Sequence, residues 1–262
     1  MGIVFIGFLA FSFLASSIYI INDYRDIEDD KKHPEKRFRP LAAGKVNKSA
    51  ALFISAALMI IAAIIGYYVD RSGKFLFILS IYYVLNLSYS LGLKNISILD
   101  ILILSAGFVL RVKAGAELAD TGLTQWLTIM TFLLALFMAL AKRRDDVVLK
   151  MSTGTEMRKA VKGYTLDFLN TMLALFCAIL IVSYINYTVS AVSYQKFGHR
   201  LYYTSLFVIA GIMRYLQITF VANKAGSPTD ILYKDRFIQI TLVLWVISFL
   251  VILYIRDLTF FE

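Results

Sequence analysis

Long apolar runs separated by polar connections dominate the chain. Eight runs are close to the length of about 18 to 25 residues that a helix needs to cross roughly 30 Å of hydrocarbon. They cover residues 2 to 21, 49 to 69, 75 to 93, 97 to 117, 124 to 141, 166 to 189, 201 to 222 and 237 to 255. The pattern predicts an all-α fold, a polytopic transmembrane helical bundle with about eight spans. Because no Pro- or Gly-rich linker interrupts it, we expect a single domain over residues 1 to 262.

Composition agrees with this picture. Hydrophobic residues make up 59% of the chain and aromatic residues 15%, more than soluble domains usually carry. The single cysteine, Cys177, lies inside an apolar run, which predicts a structural role with no disulfide and no thiol metal site. Residues 1 to 21 lack a basic start and a convincing cleavage site, so we expect a spanning helix and not a signal peptide.

The formal charge of +9 is unevenly distributed. If the first helix enters from outside, the inner connections are residues 22 to 48, 94 to 96, 142 to 164 and 223 to 236, and they carry 19 of the 27 Lys and Arg residues. The outer connections and the C-terminal tail carry five. This asymmetry predicts a multi-pass protein of the plasma membrane with both long polar loops in the cytoplasm. Anionic headgroups or phosphorylated substrates explain the basic charge, and no nucleic acid partner is expected.

An acidic pattern directly follows the first run. Four residues fall within about 100° of one another on an α-helix. They are Asn22, Asp23, Asp26 and Asp30. Hard oxygen ligands at this density suit Mg²⁺, which commonly binds diphosphates through a few carboxylates, water and phosphate oxygens. The alternative is a solvated helix end whose charge is neutralised by neighbouring Lys and Arg side chains.

A basic loop between Pro34 and Pro40 comes next. Its cations Lys36, Arg37 and Arg39 could donate the charge-assisted hydrogen bonds that phosphates favour, and Arg can do so with two nitrogens at once. The loop is therefore a candidate substrate-binding segment. A plain positively charged cytoplasmic loop is the alternative.

The run from Asn22 to Val46, NDYRDIEDDKKHPEKRFRPLAAGKV, resembles the first signature of the UbiA superfamily of intramembrane prenyltransferases. That signature reads N-D-x-x-D-x-x-x-D and is followed by a basic R-P-x-x-x-G segment. The resemblance implies that Mg²⁺ and a diphosphate bind at the motif positions, with the aspartates as catalytic residues. The metal positions are Asn22, Asp23, Asp26 and Asp30, and the catalytic positions are Asp23, Asp26 and Asp30.

Within the superfamily, the segment HPEKRFRPLAAG looks like that of the decaprenyl-phosphate phosphoribosyltransferase branch. Further matches are YSLGLK from Tyr89 to Lys94, GFVLR ending at Arg111 and AKRR ending at Arg144, so the resemblance covers most of the chain. In the family a Tyr and a Lys at the first of these places contact phosphate, which implies substrate-binding roles for Tyr89 and Lys94. Ordinary anchoring of Tyr and Lys at the membrane interface is the alternative.

The chain departs from the family at a second motif. Many members carry D-x-x-x-D at the inner end of the helix that corresponds to residues 124 to 141, whereas this chain has three cations followed by two aspartates. Cations cannot coordinate a metal, but they can hold a phosphate directly. We therefore expect a substrate-binding set of Lys142, Arg143, Arg144 and Asp146. A positively charged membrane flank is the alternative.

A second departure concerns length. The superfamily has nine helices, and the apolar runs predict eight. Because the first motif follows only 21 residues here, a helix is expected to be missing at the N-terminus, as in a shortened gene product.

The resemblance to the phosphoribosyltransferase branch, together with the basic second motif, implies transfer of 5-phosphoribose from phosphoribosyl diphosphate to a polyprenyl (decaprenyl-like) phosphate at the cytoplasmic face, with Mg²⁺ as cofactor and release of diphosphate. The expected partners are the two substrates and the bilayer. The oligomeric state is left open, so other copies of the same chain are a further candidate partner. The first alternative is a prenyltransferase that joins a prenyl diphosphate to an aromatic or other small acceptor, and it predicts a second acidic motif. A non-catalytic membrane transporter or scaffold is the other alternative, and it leaves the Asn and Asp spacing unexplained.

Overall fold

The computed structural model describes residues 2–32, 36–153, 159–221 and 228–254. These residues form eleven α-helices, joined by turns and short 3-10 helices, and they contain no β-strand. The α-helices are α1 (Gly2–Arg25), α2 (Ile27–Lys32), α3 (Lys48–Val69), α4 (Lys74–Leu91), α5 (Leu99–Leu118), α6 (Gln125–Thr153), α7 (Leu166–Thr188), α8 (Ala191–Phe197), α9 (Ser205–Phe220), α10 (Pro228–Lys234) and α11 (Arg236–Tyr254). The 3-10 helices are Lys36–Phe38, Leu93–Asn95, Lys159–Gly163 and His199–Thr204. The all-α prediction is confirmed.

Seven helical segments in the described ranges are long and apolar enough to cross a membrane. They are α1, α3, α4, α6, α7, α11 and the segment His199–Phe220, which contains α9. The remaining predicted span, residues 97 to 117, is the 20-residue helix α5. It is less apolar because it carries four charged residues, Asp100, Arg111, Lys113 and Glu117. The prediction of a polytopic helical membrane protein is confirmed.

Helix α6 is longer than the apolar run that predicted it. It extends over 29 residues to Thr153, whereas the run ends at residue 141. Residues 142 to 153, predicted as part of a polar connection, are therefore helical. Arg, Lys, Leu and Met are good helix formers, so a helix can continue where its apolar character stops. Parts of three predicted inner connections lie outside the described ranges, namely residues 33–35, 154–158 and 223–227.

The chain divides into two compact units, Met1–Phe132 and Leu133–Glu262, with the boundary inside α6. The expectation of a single domain stays a prediction. In the first unit, α1 packs against α3, α4 and α5. Its core is Ala10, Leu14, Ile18, Ala62, Phe75, Ile78, Leu79, Tyr82 and Ala114.

The contact between α1 and α3 has a polar component. The Ser55 hydroxyl donates a 3.0 Å hydrogen bond to the Ser17 carbonyl, and the two hydroxyl oxygens lie 3.0 Å apart. Both serines are buried. Lipid tails are as apolar as leucine, so small side chains and interhelical hydrogen bonds drive such packing in membranes.

A buried hydrogen-bond chain joins helices of the second unit. Trp245 Nε1 in α11 donates to the Tyr184 hydroxyl in α7 at 2.7 Å. That hydroxyl lies 2.8 Å from Thr204 Oγ1, which donates to the Leu201 carbonyl at 2.6 Å. Every polar group in this hydrogen-bond network has a partner, and a polar group can be buried at low energetic cost only when it is hydrogen-bonded.

Candidate active site

The acidic motif forms one face at the end of α1. Helix α1 ends at Arg25 and α2 begins at Ile27, but backbone bonds carry the helical path through the junction: Asp26 N donates to Asn22 O at 3.0 Å and Asp30 N donates to Asp26 O at 2.7 Å. Residues four apart therefore lie above one another, as the sequence spacing predicts. We call Asn22, Asp23, Asp26 and Asp30 the acidic face. All four are buried or partly buried, whereas the neighbouring Glu28 and Asp29 are exposed.

Arg39 binds two carboxylates of the acidic face. Its Nη1 donates to Asp23 Oδ1 at 2.7 Å and to Asp30 Oδ2 at 3.0 Å. The turn that positions it follows the 3-10 helix Lys36–Phe38: Arg39 N donates to the Lys36 carbonyl, and the Arg39 carbonyl accepts from Ala43 N at 2.8 Å. One guanidinium thus links both ends of the acidic face.

Lys94 binds the other two members. Its Nζ lies 2.5 Å from Asp26 Oδ1 and 3.1 Å from Asn22 Oδ1, and Asn22 Nδ2 donates to Asp26 Oδ2 at 3.1 Å. Lys94 lies in the 3-10 helix Leu93–Asn95, between α4 and α5. The preceding Gly92 has φ 154°, a conformation that glycine adopts more readily than other residues. This turn aims a lysine from a distant connection at the acidic face.

The donor set of the acidic face fits a divalent cation in its chemistry. Carboxylate and amide oxygens are the ligands that Mg²⁺ prefers. Arg39 nitrogen stands between the Asp23 and Asp30 oxygens, and Lys94 nitrogen stands between those of Asn22 and Asp26, so each pair already binds a positive charge. Within the described ranges no three His, Cys, Asp or Glu side chains converge as a ready metal cluster. The metal role of the four residues stays a prediction.

The other predicted binding residues of the first unit have different surroundings. Arg37 is exposed, with its guanidinium carbon 4.8 Å from the centre of the Phe38 ring. Lys36 and Tyr89 are partly buried, Tyr89 in the last turn of α4. Pro34, predicted to shape the basic loop, lies outside the described residues. The structure therefore brings Arg39 and Lys94 to the acidic face and turns Arg37 towards an aromatic ring.

The second unit holds the basic cluster of α6, which we define as Lys142, Arg143 and Arg144. Lys142 is exposed, but Arg143 and Arg144 are only 1% and 4% exposed. Arg143 Nη1 donates to Asp146 Oδ2 at 2.9 Å, one helical turn away. Burial of two arginines opposes the interpretation as a solvated membrane flank, because such flanks keep their charges in water.

Asn170 in α7 contacts the basic cluster of α6 and was not predicted from the sequence. Its Oδ1 accepts from Arg144 Nε at 2.7 Å, and the Arg144 guanidinium carbon lies 5.4 Å from the centre of the Phe220 ring. Asn170 holds Arg144 from α7, and nothing in the sequence distinguishes it from Asn186, the other amide of the same apolar run. Asp100, fully buried in the first turn of α5, was likewise not selected as a site residue.

Two arginines within helices have local partners. Arg111 Nη2 in α5 donates to the Tyr82 hydroxyl at 2.7 Å and lies near the rings of Phe11, Tyr82 and Phe108. Arg214 in α9 binds Asp235, with Nη2 2.8 Å from Oδ2. The Arg214 guanidinium, together with the Ile238 backbone N–H, holds the pKa of the Asp235 carboxyl below its ordinary value of 3.8. These contacts give both arginines a structural role.

Comparison with known proteins places the chain in a family. The model of the UbiA prenyltransferase family matches residues 1–240. The chain is 34% identical over 251 residues to a decaprenyl-phosphate phosphoribosyltransferase of Mycolicibacterium smegmatis, covering 93% of this chain and 78% of that protein. It is 31% identical over 257 residues to the Corynebacterium glutamicum protein of the same name, covering 97% and 77%.

The fold has the same relatives. A solved UbiA homolog from Archaeoglobus fulgidus, bound to DMAPP and Mg²⁺, matches with a TM-score of 0.71 at 17% identity, covering 97% of this chain and 88% of that one. At this identity the likeness concerns the fold. The family match and the named relatives confirm the resemblance read from the motifs, and they make the protein an enzyme of the transferase class. The chain belongs to the UbiA prenyltransferase family.

Proposed function

We propose that the protein transfers 5-phosphoribose from phosphoribosyl diphosphate to a polyprenyl phosphate at the cytoplasmic membrane face, in a Mg²⁺-dependent reaction that releases diphosphate. Two curated relatives named decaprenyl-phosphate phosphoribosyltransferase support the choice of substrates. The main structural support for phosphoribosyl transfer is the basic cluster of α6. Arg143 and Arg144 are buried there, where many family members have a second acidic motif.

The acidic face would hold the metal. Asn22, Asp23, Asp26 and Asp30 supply amide and carboxylate oxygens from one side of a helix. A bound Mg²⁺ would neutralise the negative charge that develops on the leaving diphosphate. Asp23, Asp26 and Asp30 are the proposed catalytic residues, because their charge determines whether the donor's diphosphate can bind and depart at this place.

The basic side chains would position phosphates. Arg39 and Lys94 already lie at the acidic face, and both can donate charge-assisted hydrogen bonds to phosphate oxygens. Lys36, Arg37 and Tyr89 lie in or near the same two connections. The second unit contains a further candidate phosphate-binding site, made of Lys142, Arg143, Arg144 and Asp146.

The chemistry requires no strong base. A polyprenyl phosphate is anionic at neutral pH, so one of its oxygens can attack the anomeric carbon without losing a proton. The bond between that carbon and the diphosphate oxygen breaks, and its electron pair leaves with diphosphate. The sugar carbon is oxocarbenium-like as this bond opens. The enzyme's tasks are therefore to align two phosphorylated substrates and to stabilise the leaving group.

Product analysis tests the proposal. Purified protein is incubated with phosphoribosyl diphosphate, decaprenyl phosphate and Mg²⁺, and the lipid fraction is analysed by mass spectrometry. We expect a phosphoribosylated lipid phosphate that forms in step with diphosphate and disappears when EDTA is added. Formation of no such lipid by folded protein, with a range of prenyl phosphates, would overturn the proposal.

A further inference from the structure

The acidic face is neutralised by two cations from other parts of the first unit. Arg39 comes from the connection between α2 and α3, and Lys94 comes from the connection between α4 and α5. Their nitrogens lie 2.5 to 3.1 Å from oxygens of all four members of the face. The Lys94 side chain is only 19% exposed, so its pairing with Asp26 is not a loose surface contact.

A metal ion that bridges the same oxygens would have to occupy the space that these nitrogens fill. Mg²⁺ requires its oxygen ligands at about 2.0 to 2.1 Å in a strict octahedral arrangement. Arg39 Nη1 stands between the Asp23 and Asp30 oxygens at 2.7 and 3.0 Å, where a cation bound by both would have to be. Like charges this close repel strongly in a partly desolvated site. A metal ion held between Asp23 Oδ1 and Asp30 Oδ2 must therefore displace the guanidinium, and one held between Asn22 Oδ1 and Asp26 Oδ1 must displace the Lys94 ammonium.

We propose that Arg39 and Lys94 compete with the divalent cation for the acidic face, and that they are handed to the phosphates of the diphosphate donor when the cation binds. The identity of that donor rests on the proposed function, whereas the competition rests on the ion pairs alone. Before the exchange the carboxylates are paired with Arg39 and Lys94. After it they are paired with the metal, and the two basic side chains are paired with phosphate oxygens, as their chemistry favours.

This exchange couples metal binding to donor binding. Metal alone has to break two ion pairs and leave two cations without anionic partners. Metal and diphosphate together give every charge a partner. By linkage, a diphosphate that raises the affinity for the metal has its own affinity raised by the same factor. The site therefore takes up metal and donor as a pair.

Metal affinity without donor tests the competition. Mn²⁺ binding to the purified full chain is measured by electron paramagnetic resonance for wild type, Arg39→Ala and Lys94→Ala, with Arg37→Ala as the matched control. Arg37 carries the same charge on the same connection, but its guanidinium lies over the Phe38 ring. We expect Arg39→Ala and Lys94→Ala each to tighten Mn²⁺ binding about fivefold or more, and Arg37→Ala to change it less than about twofold. Unchanged or weaker binding in the first two variants, or equal tightening in all three, would overturn the proposal.

Two additions keep the test decisive. Arg39→Gln and Lys94→Gln, which remove the charge but keep a longer, polar side chain than alanine, replace any alanine variant whose melting curve shows that it fails to fold. Inorganic diphosphate, corrected for its own Mn²⁺ binding, should raise the affinity of wild type by a larger factor than that of Arg39→Ala, and an equal factor would contradict the exchange. Neither measurement uses phosphoribosyl diphosphate or a lipid, so failure of the proposed function would leave these results unaffected.

Discussion

The Nζ atom of Lys94 lies 2.5 Å from Oδ1 of Asp26, although 68 positions separate the two residues in the chain. This contact joins the connection after α4 to the end of α1. It places a cation against a carboxylate that is itself only 25% exposed. Asp26 also lies beside Asn22 and on the same helix face as Asp23 and Asp30, so its negative charge is central to cation binding by the acidic face.

Replacing Asp26 by Asn should abolish turnover with little loss of fold. An amide keeps the shape of the side chain but loses the charge that a divalent cation and Lys94 both bind. We expect the rate of product formation to fall at least about 100-fold, which corresponds to about 2.7 kcal/mol of transition-state stabilisation. Asp29→Asn is the matched control, because Asp29 is exposed and lies outside the acidic face. If the purified Asp26→Asn protein retained near wild-type activity that depended on Mg²⁺, Asp26 would not be a ligand.

Arg143 should matter for stability as well as for binding. It is 1% exposed and bonds Asp146, so Arg143→Ala would leave a carboxylate without this partner at a largely buried position. Breaking such a pair costs about 3 kcal/mol, whereas Lys142→Ala, at an exposed position, should cost less than about 1 kcal/mol. Thermal unfolding of the two variants and of the double variant Arg143→Ala/Asp146→Ala measures the difference. A double variant no more stable than Arg143→Ala would argue against the pair.

The ion pair between Arg214 and Asp235 predicts an acid-sensitive contribution to stability. Because the folded pKa of Asp235 is held below its ordinary value, the contribution is fully present above the unfolded pKa and is lost as the pH falls through the folded pKa. The melting temperature of wild type should therefore exceed that of Asp235→Asn at pH 7, and the gap should close below a pH of about 4. Asp167→Asn controls for the loss of one exposed negative charge. A gap that is constant from pH 7 to pH 3 would exclude this role of the carboxylate.

The distribution of positive charge predicts that Ser49 and Ser152 lie on the cytoplasmic side. Both residues are exposed, Ser49 in the first turn of α3 and Ser152 near the end of α6. Single cysteines at these positions, in a Cys177→Ala background, should not react with a membrane-impermeant thiol reagent in intact cells. They should react once the cells are permeabilised and the reagent reaches the cytoplasm. Labelling of the two positions from opposite sides would refute the predicted topology.

The helical parts of the protein follow from local sequence. Apolar runs of membrane-spanning length predict α1, α3, α4, α7, α11 and the start of α6 within a few residues, because in a bilayer each segment has to satisfy its own backbone hydrogen bonds. The face formed by Asn22, Asp26 and Asp30 follows from helical periodicity in the same way. The end of α6 does not, because the helix continues to Thr153 after the apolar run stops at Ala141.

The partners of the acidic face could not be read from local pattern. Arg39 and Lys94 stand 16 and 68 positions from the aspartates they bind, Asp23 and Asp26, and their approach depends on how the turns after α2 and α4 fold back. The family resemblance predicts that Lys94 contacts phosphate, whereas the structure shows Lys94 bound to Asn22 and Asp26. Asn170 was missed because an amide within an apolar run gives no sign of its partner, Arg144, in another helix.

The choice of donor is the sharpest test of the proposed function. Release of diphosphate and formation of lipid product are measured for wild type, Lys142→Ala and Lys142→Asp, either with phosphoribosyl diphosphate and a polyprenyl phosphate or with a prenyl diphosphate and an aromatic acceptor. We expect turnover only with the first pair. Its rate should fall in the order wild type, Lys142→Ala, Lys142→Asp, with each loss of charge costing about 1.5 to 3 kcal/mol, because a phosphate contact is removed and then replaced by repulsion. Turnover of the prenyl diphosphate by wild type, or a gain of activity in Lys142→Asp, would contradict the assignment.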